Sequence, residues 1–211
     1  MSEKTEAVVI LPGLWLPYWA MFPMRRRLAA AGFDAYVFRY HTVIDSLEQS
    51  AKKLNAYLEA IDADVIHLVS QSLGGIVIRA LFHYFPEQKP GRIVNFVAPH
   101  KGSYTAQWFS RFFVMRWLLG KSIAQLLRGL PAQWKTPERE IGVIAGTWPI
   151  GLGMLIWSLP KPNDGVVAVT ETMLPGIKEH KVIGVGHTPS VFSKTVSDNI
   201  QHFLHNGQFM S

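Results

Sequence analysis

One stretch of the chain combines the residue types that nucleophilic catalysis needs. Val65 to Gly75 reads VIHLVSQSLGG: an apolar run, then Ser72 with the small residues Ser70 and Gly74 two places to either side, then the start of a helical pattern. A serine on so sharp a strand-to-helix turn requires small neighbours at those two places, and its hydroxyl then stands clear above the strand ends. The N-terminus of the following helix favours negative charge developing beside it. Such a serine needs a base to take its proton, and the base needs a carboxylate to orient it. Candidates for both lie downstream. Asp164 stands in Asn163-Asp164-Gly165-Val166-Val167, and His187 in Gly186-His187-Thr188-Pro189, just before a final helical pattern. Taken singly, Asp164-Gly165 is an ordinary turn pair and His187 a residue at a helix entry. Their order after Ser72 and their place beyond apolar runs read as strands point to a triad, because open α/β sheets gather ligand sites at the carboxyl ends of their strands.

These positions need a scaffold. Ala7–Leu11, Ala35–Phe38, Val65–Val69, Ile93–Ala98, Ile141–Ala145 and Lys181–Val185 are short apolar runs, the pattern of buried parallel strands. Helical spacing falls between them. One helix begins at Asp45, with Glu48 placed for a capping box and Leu47, Ala51, Leu54 and Leu58 on one face. Others cover Leu73–Phe85, ended by Pro86, and Trp19–Ala31, interrupted at Pro23. A last one starts at Pro189 with Thr188 as its N-cap and buries Phe192, Val196, Ile200 and Phe203. The alternation predicts an α/β sheet with helices on both faces, in a single domain spanning 1–211. Pro99 to Pro137 is too long for an ordinary loop and reads as a helical insertion.

Composition narrows the function classes. The 211 residues are 48% hydrophobic and 17% charged, which excludes a disordered chain. With no cysteine there is no thiol nucleophile, disulfide frame or thiolate metal site. No two histidines stand at metal spacing with an acidic third, and no Gly-Lys-Ser/Thr phosphate loop occurs, so neither metal nor cofactor is expected. His67 sits inside a strand and reads as a structural histidine, while His41 and His100 lie near strand ends, where they could line the site. Ile141 to Pro160 is twenty residues without charge, but its glycines and prolines break it into a strand and a loop rather than a membrane span. The start of the chain is charged and lacks an apolar h-region, which makes the cytoplasm the expected address, with a peripheral membrane position as the variant.

The net charge of +6 has one location. Lys101, Arg111, Arg116, Lys121, Arg128 and Lys135 all lie between Pro99 and Pro137 with no Asp or Glu among them, and the rest of the chain carries fifteen residues of each sign. This describes one basic face, not a protein that coats nucleic acid. Tyr104, Trp108, Phe109, Phe112, Phe113, Trp117 and Trp134 are interleaved with those charges. They suit a pair of helices covering the site's mouth, or a lid that also touches an anionic lipid surface.

Together these motifs resemble the α/β-hydrolase superfamily, in particular its small lipase- and esterase-like members, over roughly Ala7 to Phe209. The Ser70–Gly75 turn is similar to the family's Gly-His-Ser-x-Gly-Gly, with Ser70 in place of the first glycine. Leu11-Pro12-Gly13-Leu14-Trp15 resembles the oxyanion loop, with Pro12 where the family usually reads His. The Asp164 and His187 segments resemble its acid and histidine loops, and Ala98–Ser103 a lipase segment that usually reads Thr-Pro-His-x-Gly-Ser. The resemblance implies a trimmed, mostly parallel sheet of about six strands with a helical lid-like insertion. It also implies Ser72 as nucleophile, His187 as base, Asp164 as its partner, and the backbone N–H groups of Leu14 and Leu73 as the oxyanion hole. Trp15, and Trp148, Met154 and Trp157 of the apolar loop before Asp164, are expected to line an acyl pocket. The expected activity is hydrolysis of an apolar carboxylic ester or lipid. The competing expectation is a non-catalytic protein of the same fold that binds an acyl ligand, a partner or a membrane through the insertion.

Overall fold

The computed structural model describes residues 5–156 and 158–211. Six strands, β1 (Glu6–Leu11), β2 (Asp34–Val37), β3 (Val65–Gln71), β4 (Ile93–Phe96), β5 (Ile141–Gly146) and β6 (Glu179–Ile183), form one sheet in the order β2-β1-β3-β4-β5-β6. Every pairing is parallel. The four inner strands are apolar on both faces because both faces are covered. On one face, α1 (Phe22–Ala30) and α6 (Lys194–Asn206) bury Met24, Leu28, Val196, Ile200 and Phe203 against Val8, Ile10, Val69, Val94 and Phe96. On the other, α2 (Leu47–Glu59) and α3 (Leu73–Tyr84) bury Leu54, Leu58, Ile76 and Ala80 against Val9, Leu11, Leu68 and Val143. The alternation of β1, Val8 and Ile10 one way and Val9 and Leu11 the other, is the period of a strand expressed as two cores.

Element edges depart from the sequence pattern where caps and turns compete with it. The capping box of α2 sits one residue later than expected: Ser46 Oγ accepts from the Gln49 amide at 3.1 Å, and the Gln49 side chain accepts from the Ser46 amide at 2.9 Å. Asp45 is buried and pairs with Lys53 at 2.8 Å instead. Ahead of α1 lies a separate 3-10 turn, Tyr18–Met21, so Pro23 falls in the first turn of α1, where its missing N–H has no helical partner to lose. The final helix is also split. Pro189–Val191 is a 3-10 turn, Thr188 makes no side-chain cap, and α6 starts at Lys194 with Ser193 as its cap. Phe192 in that split is exposed rather than buried. β6 begins two residues earlier than its apolar run and is only partly buried, as an edge strand is.

Between β4 and β5 the chain forms α4 (Tyr104–Phe109), α5 (Phe113–Leu127) and a 3-10 turn, Leu130–Gln133. Gly120 breaks α5 with φ of 76°. Leu119 just before the break and Ile123 and Leu126 beyond it join the core that holds α2 and α3. Within the uncharged stretch the chain forms β5 and the 3-10 turn Leu152–Leu155, and among the described residues no helix is long and apolar enough to cross a membrane.

Candidate active site

The sheet's order reverses at β1: its successor β2 lies on one side and β3 on the other. The loops leaving β1 and β3 are therefore neighbours at a topological switch point, where open sheets form their ligand crevice. Among the described residues, three non-glycine residues with positive φ follow the carboxyl ends of β1, β3 and β4: Trp15 (58°), Ser72 (52°) and Val97 (50°). Such torsions cost about 1–3 kcal/mol each and persist only where the surroundings over-determine them.

At Ser72 they do. Its amide donates to the Phe96 carbonyl at 3.1 Å, and its carbonyl accepts from the Gly75 amide at 3.0 Å. A Cβ on Gly74 would lie 2.9 Å from the Leu11 carbonyl oxygen and 3.1 Å from Ser70 Cβ; one on Gly75 would lie 2.8 Å from Ala98 Cβ. The turn has no room for side chains there. Ser70, which stands where a glycine was the simpler choice, fits because its hydroxyl donates to Asn95 Oδ1 at 2.6 Å in the core.

The three triad candidates come together. His187 Nε2 lies 3.0 Å from Ser72 Oγ, and His187 Nδ1 lies 2.7 Å from Asp164 Oδ2. Asp164 is fully buried, and its other oxygen accepts from the amides of Val166 (2.9 Å) and Val167 (2.7 Å), so the carboxylate cannot rotate away. A ring nitrogen facing that carboxylate carries the proton, which leaves Nε2 with its lone pair toward the serine. The ring's backbone is held too: the His187 amide donates to the Asp164 carbonyl at 2.9 Å, and the His187 carbonyl accepts from Ser190 Oγ at 2.6 Å.

Beside these groups opens a cavity of about 440 Å³ lined by apolar side chains, among them Leu73, Phe109, Leu119, Ile123, Val166 and Val167. Leu14, Trp15, Ser72 and His187 are in its wall. Leu73 is the first residue of α3, so its N–H is one of those a helix start leaves without an intrahelical partner. The expected wall from the apolar loop is drawn differently. Trp148 and Met154 stand exposed and outside the cavity lining; the loop reaches it through Gly151. Trp157 lies outside the described residues. In place of that loop, α4 and both sides of the α5 kink close the far wall. The insertion is expected as a pair of helices covering the site's mouth; Ala106, Phe109, Leu119 and Ile123 are the inward-facing residues by which it lines the cavity.

The insertion is rooted next to the carboxylate. Glu171 accepts from the amides of Tyr104 (2.5 Å) and Ala168 (2.7 Å), and Thr105 Oγ1 donates to the Val166 carbonyl at 2.5 Å. Burial pushes the Glu171 pKa up. His41 is exposed, and His100, though buried beneath the site, is not in the cavity wall. His67 is a structural histidine: buried, its Nδ1 accepts from the Arg92 amide at 2.9 Å and its Nε2 faces Glu6 at 3.3 Å. No cluster of His, Asp or Glu among the described residues suits a metal ion.

No protein-family model matches the chain, and no curated protein matches it in sequence. Solved structures do match in shape. The mature form of Bacillus licheniformis lipase BlEst2 superposes with a TM-score of 0.81 at 18% identity, over 99% of this chain and 94% of that one; its propeptide form is longer, and the chain spans 52% of it. A metagenomic carboxyl esterase, MGS0156, superposes at 0.68 with 17% identity over 89% of this chain and 65% of that one. The pyrethroid hydrolase PytH superposes at 0.64 with 12% identity over 97% and 99%. The chain has the α/β-hydrolase fold in a trimmed, six-stranded form.

Proposed function

We propose that the chain is a serine hydrolase that cleaves an apolar carboxylic ester. The observation that carries this reading is the hydrogen-bonded series Asp164–His187–Ser72, at 2.7 and 3.0 Å, opening on an apolar cavity of about 440 Å³. His187 Nε2 takes the proton as Ser72 Oγ bonds to the ester carbon. The amides of Leu14 and Leu73 receive the charge on the carbonyl oxygen. Collapse expels the alcohol, which leaves with the proton from Nε2, and water repeats the sequence to release the acid and free the serine. Among the described residues that line the cavity, His187 is the one titratable side chain, so the pocket favours an uncharged acyl group. Solved lipases and esterases of the same shape support the class, and the apolar lining of the cavity supports the choice of substrate.

The same reading gives the protein a partner surface. Phe113, Val114 and Trp117 are exposed by 85, 61 and 76%, and Arg111, Arg116, Lys121 and Arg128 on the same segment are exposed with no ion pair among the described residues. Apolar side chains among unpaired cations suit weak contact with an anionic bilayer. The test of the activity is direct. Ser72→Ala lowers turnover of a short p-nitrophenyl ester by ~10³-fold or more, and adding His187→Ala lowers it little further, because the residues act as a unit. Labelling by a fluorophosphonate is lost with the serine. If Ser72→Ala retains most of the turnover, the reading is wrong.

A further inference from the structure

The loop that offers the Leu14 amide begins with Pro12, which has no N–H to anchor it. Its carbonyl is held instead: Tyr40 Oη donates to the Pro12 oxygen at 2.7 Å, in the interior. Tyr40 is buried, and its ring lies against Phe38 with 5.5 Å between centroids and 13° between planes, while its hydroxyl takes the Pro12 carbonyl as its partner. The Phe38 amide donates to the Ile10 carbonyl at 2.9 Å, which fixes this segment against the end of β1. Burial raises the hydroxyl's pKa, so the group remains a donor throughout the range in which the protein works.

The loop also rests directly on the nucleophile's turn. A Cβ on Gly13 would lie 2.0 Å from Gln71 Oε1 and 2.9 Å from Ser72 Cβ. Any shift of Pro12–Gly13 therefore changes where the Leu14 amide points relative to Ser72. Beyond Leu14, the Trp15 amide faces Thr42 Oγ1 at 3.4 Å, and the Trp15 indole donates to the Leu118 carbonyl at 3.0 Å. The bond from Tyr40 is the short, buried one on the side where the loop leaves the sheet.

We infer that Tyr40 is a positioning residue for the reaction: through the Pro12 carbonyl it holds the oxyanion loop so that the Leu14 amide meets the charge that forms when Ser72 attacks. The inference rests on the serine-hydrolase reading above. Removing one oxyanion donor outright costs roughly 10²- to 10³-fold in kcat; loosening its loop costs part of that.

The experiment uses the full chain with Tyr40→Phe, which keeps the ring and its stacking, beside Phe38→Leu, which weakens the same stacking and keeps the hydroxyl. Tyr40→Phe lowers kcat on a short p-nitrophenyl ester by ~10- to 100-fold with KM nearly unchanged. It weakens inhibition by an alkyl trifluoromethyl ketone, whose serine adduct carries the oxyanion, in the same proportion. Phe38→Leu lowers the melting temperature and leaves kcat and ketone inhibition close to wild type. Unchanged kcat in folded Tyr40→Phe overturns the inference, and so do equal kcat losses in the two variants, which mark a purely structural role. Ser72→Ala is assayed in parallel. If it keeps its turnover, the serine mechanism itself has failed; if it is inactive while Tyr40→Phe is not impaired, only the role of Tyr40 has.

Discussion

The turn at Ser72 and the first half of α5 are held in opposite ways. Around the serine, glycines at 74 and 75 press against Leu11 and Ala98, and the neighbouring Ser70 hydroxyl is hydrogen-bonded in the core. Strained torsions there are sustained by packing on every side. Phe113, Val114 and Trp117 on α5 instead face outward, large and apolar. The second half of the same helix returns to the first pattern. The Lys121 amide donates to the Val43 carbonyl at 3.0 Å, Ser122 Oγ to the Asp45 carbonyl at 2.9 Å, and Gln125 Oε1 accepts from the Leu47 amide at 2.8 Å. Gly120 separates the halves, and a Cβ there would lie 2.2 Å from the Val43 carbonyl oxygen. Packing is tight around the serine turn, whose hydroxyl the proposed reaction would need held to a fraction of an ångström. Exposed apolar surface is left beside the mouth, where a lipid phase could take it up.

The comparison breaks most readily at Gly74. Gly74→Val forces a branched side chain against the backbone of β1, which cannot move without disturbing the sheet. Overpacking of this kind costs about 1–3 kcal/mol of stability, and a displacement of ~1 Å at the serine costs about 10²-fold in turnover. Val114→Ser on the outer half of α5 changes neither. Denaturant melts and ester turnover on both variants check this. Wild-type turnover in Gly74→Val means the turn is not held as described.

The same contrast explains what the sequence revealed. The strands were legible because buried parallel strands are apolar on both faces, and the meeting of Ser72, Asp164 and His187 because each follows one of those runs. A helix start slipped where two cap residues stood side by side: Asp45 and Ser46 both suit an N-cap, and the burial of Asp45 beside Lys53 decides between them. Trp148 and Met154 were assigned to the pocket by apolarity alone, which does not distinguish a wall from a rim. Tyr40 carried no signal at all, because its partner is a backbone carbonyl 28 residues away, and pairing of that kind is set by the β1–β2 register rather than by any motif.

The outer half of α5 gives the next effect in size. Arg111, Arg116 and Arg128 are exposed, and Arg116 and Arg128 flank one groove with Phe113 and Trp117. Each cation near an anionic bilayer contributes ~1 kcal/mol, and about two can face it at once. Replacing all three with Gln therefore weakens binding to phosphatidylserine-containing vesicles by ~30-fold, while turnover of a short soluble ester stays close to wild type. Co-sedimentation at low and high salt measures it. Equal binding to neutral and anionic vesicles, indifferent to salt, removes the electrostatic part of the contact.

The smallest effect lies at the seam between the two regions. Arg79 on α3 is buried and donates to three carbonyls: His100 (3.1 Å) at one root of the β4–β5 segment, Pro131 (2.5 Å) and Trp134 (3.3 Å) at the other. Beside it the His100 ring is buried, with neither nitrogen bonded to a group of the described residues. Burial, helped by the charges of Arg79 and His180, pushes the His100 pKa down to about 3. An unfolded histidine titrates near about 6.5. Between those values the unfolded chain binds a proton that the folded chain refuses, so the stability His100 contributes is full above about pH 6.5 and falls as the pH drops toward 3. Burial lowers the pKa of His67 and His180 as well, so His100 accounts for a share of the acid sensitivity. His100→Leu leaves no unpaired nitrogen and titrates nothing. Its melting temperature at pH 7.5 stays near wild type, and the loss between pH 7 and pH 4 becomes shallower. Parallel curves for the two proteins over that range place the acid sensitivity elsewhere, and the seam then holds the β4–β5 segment by its Arg79 bonds alone.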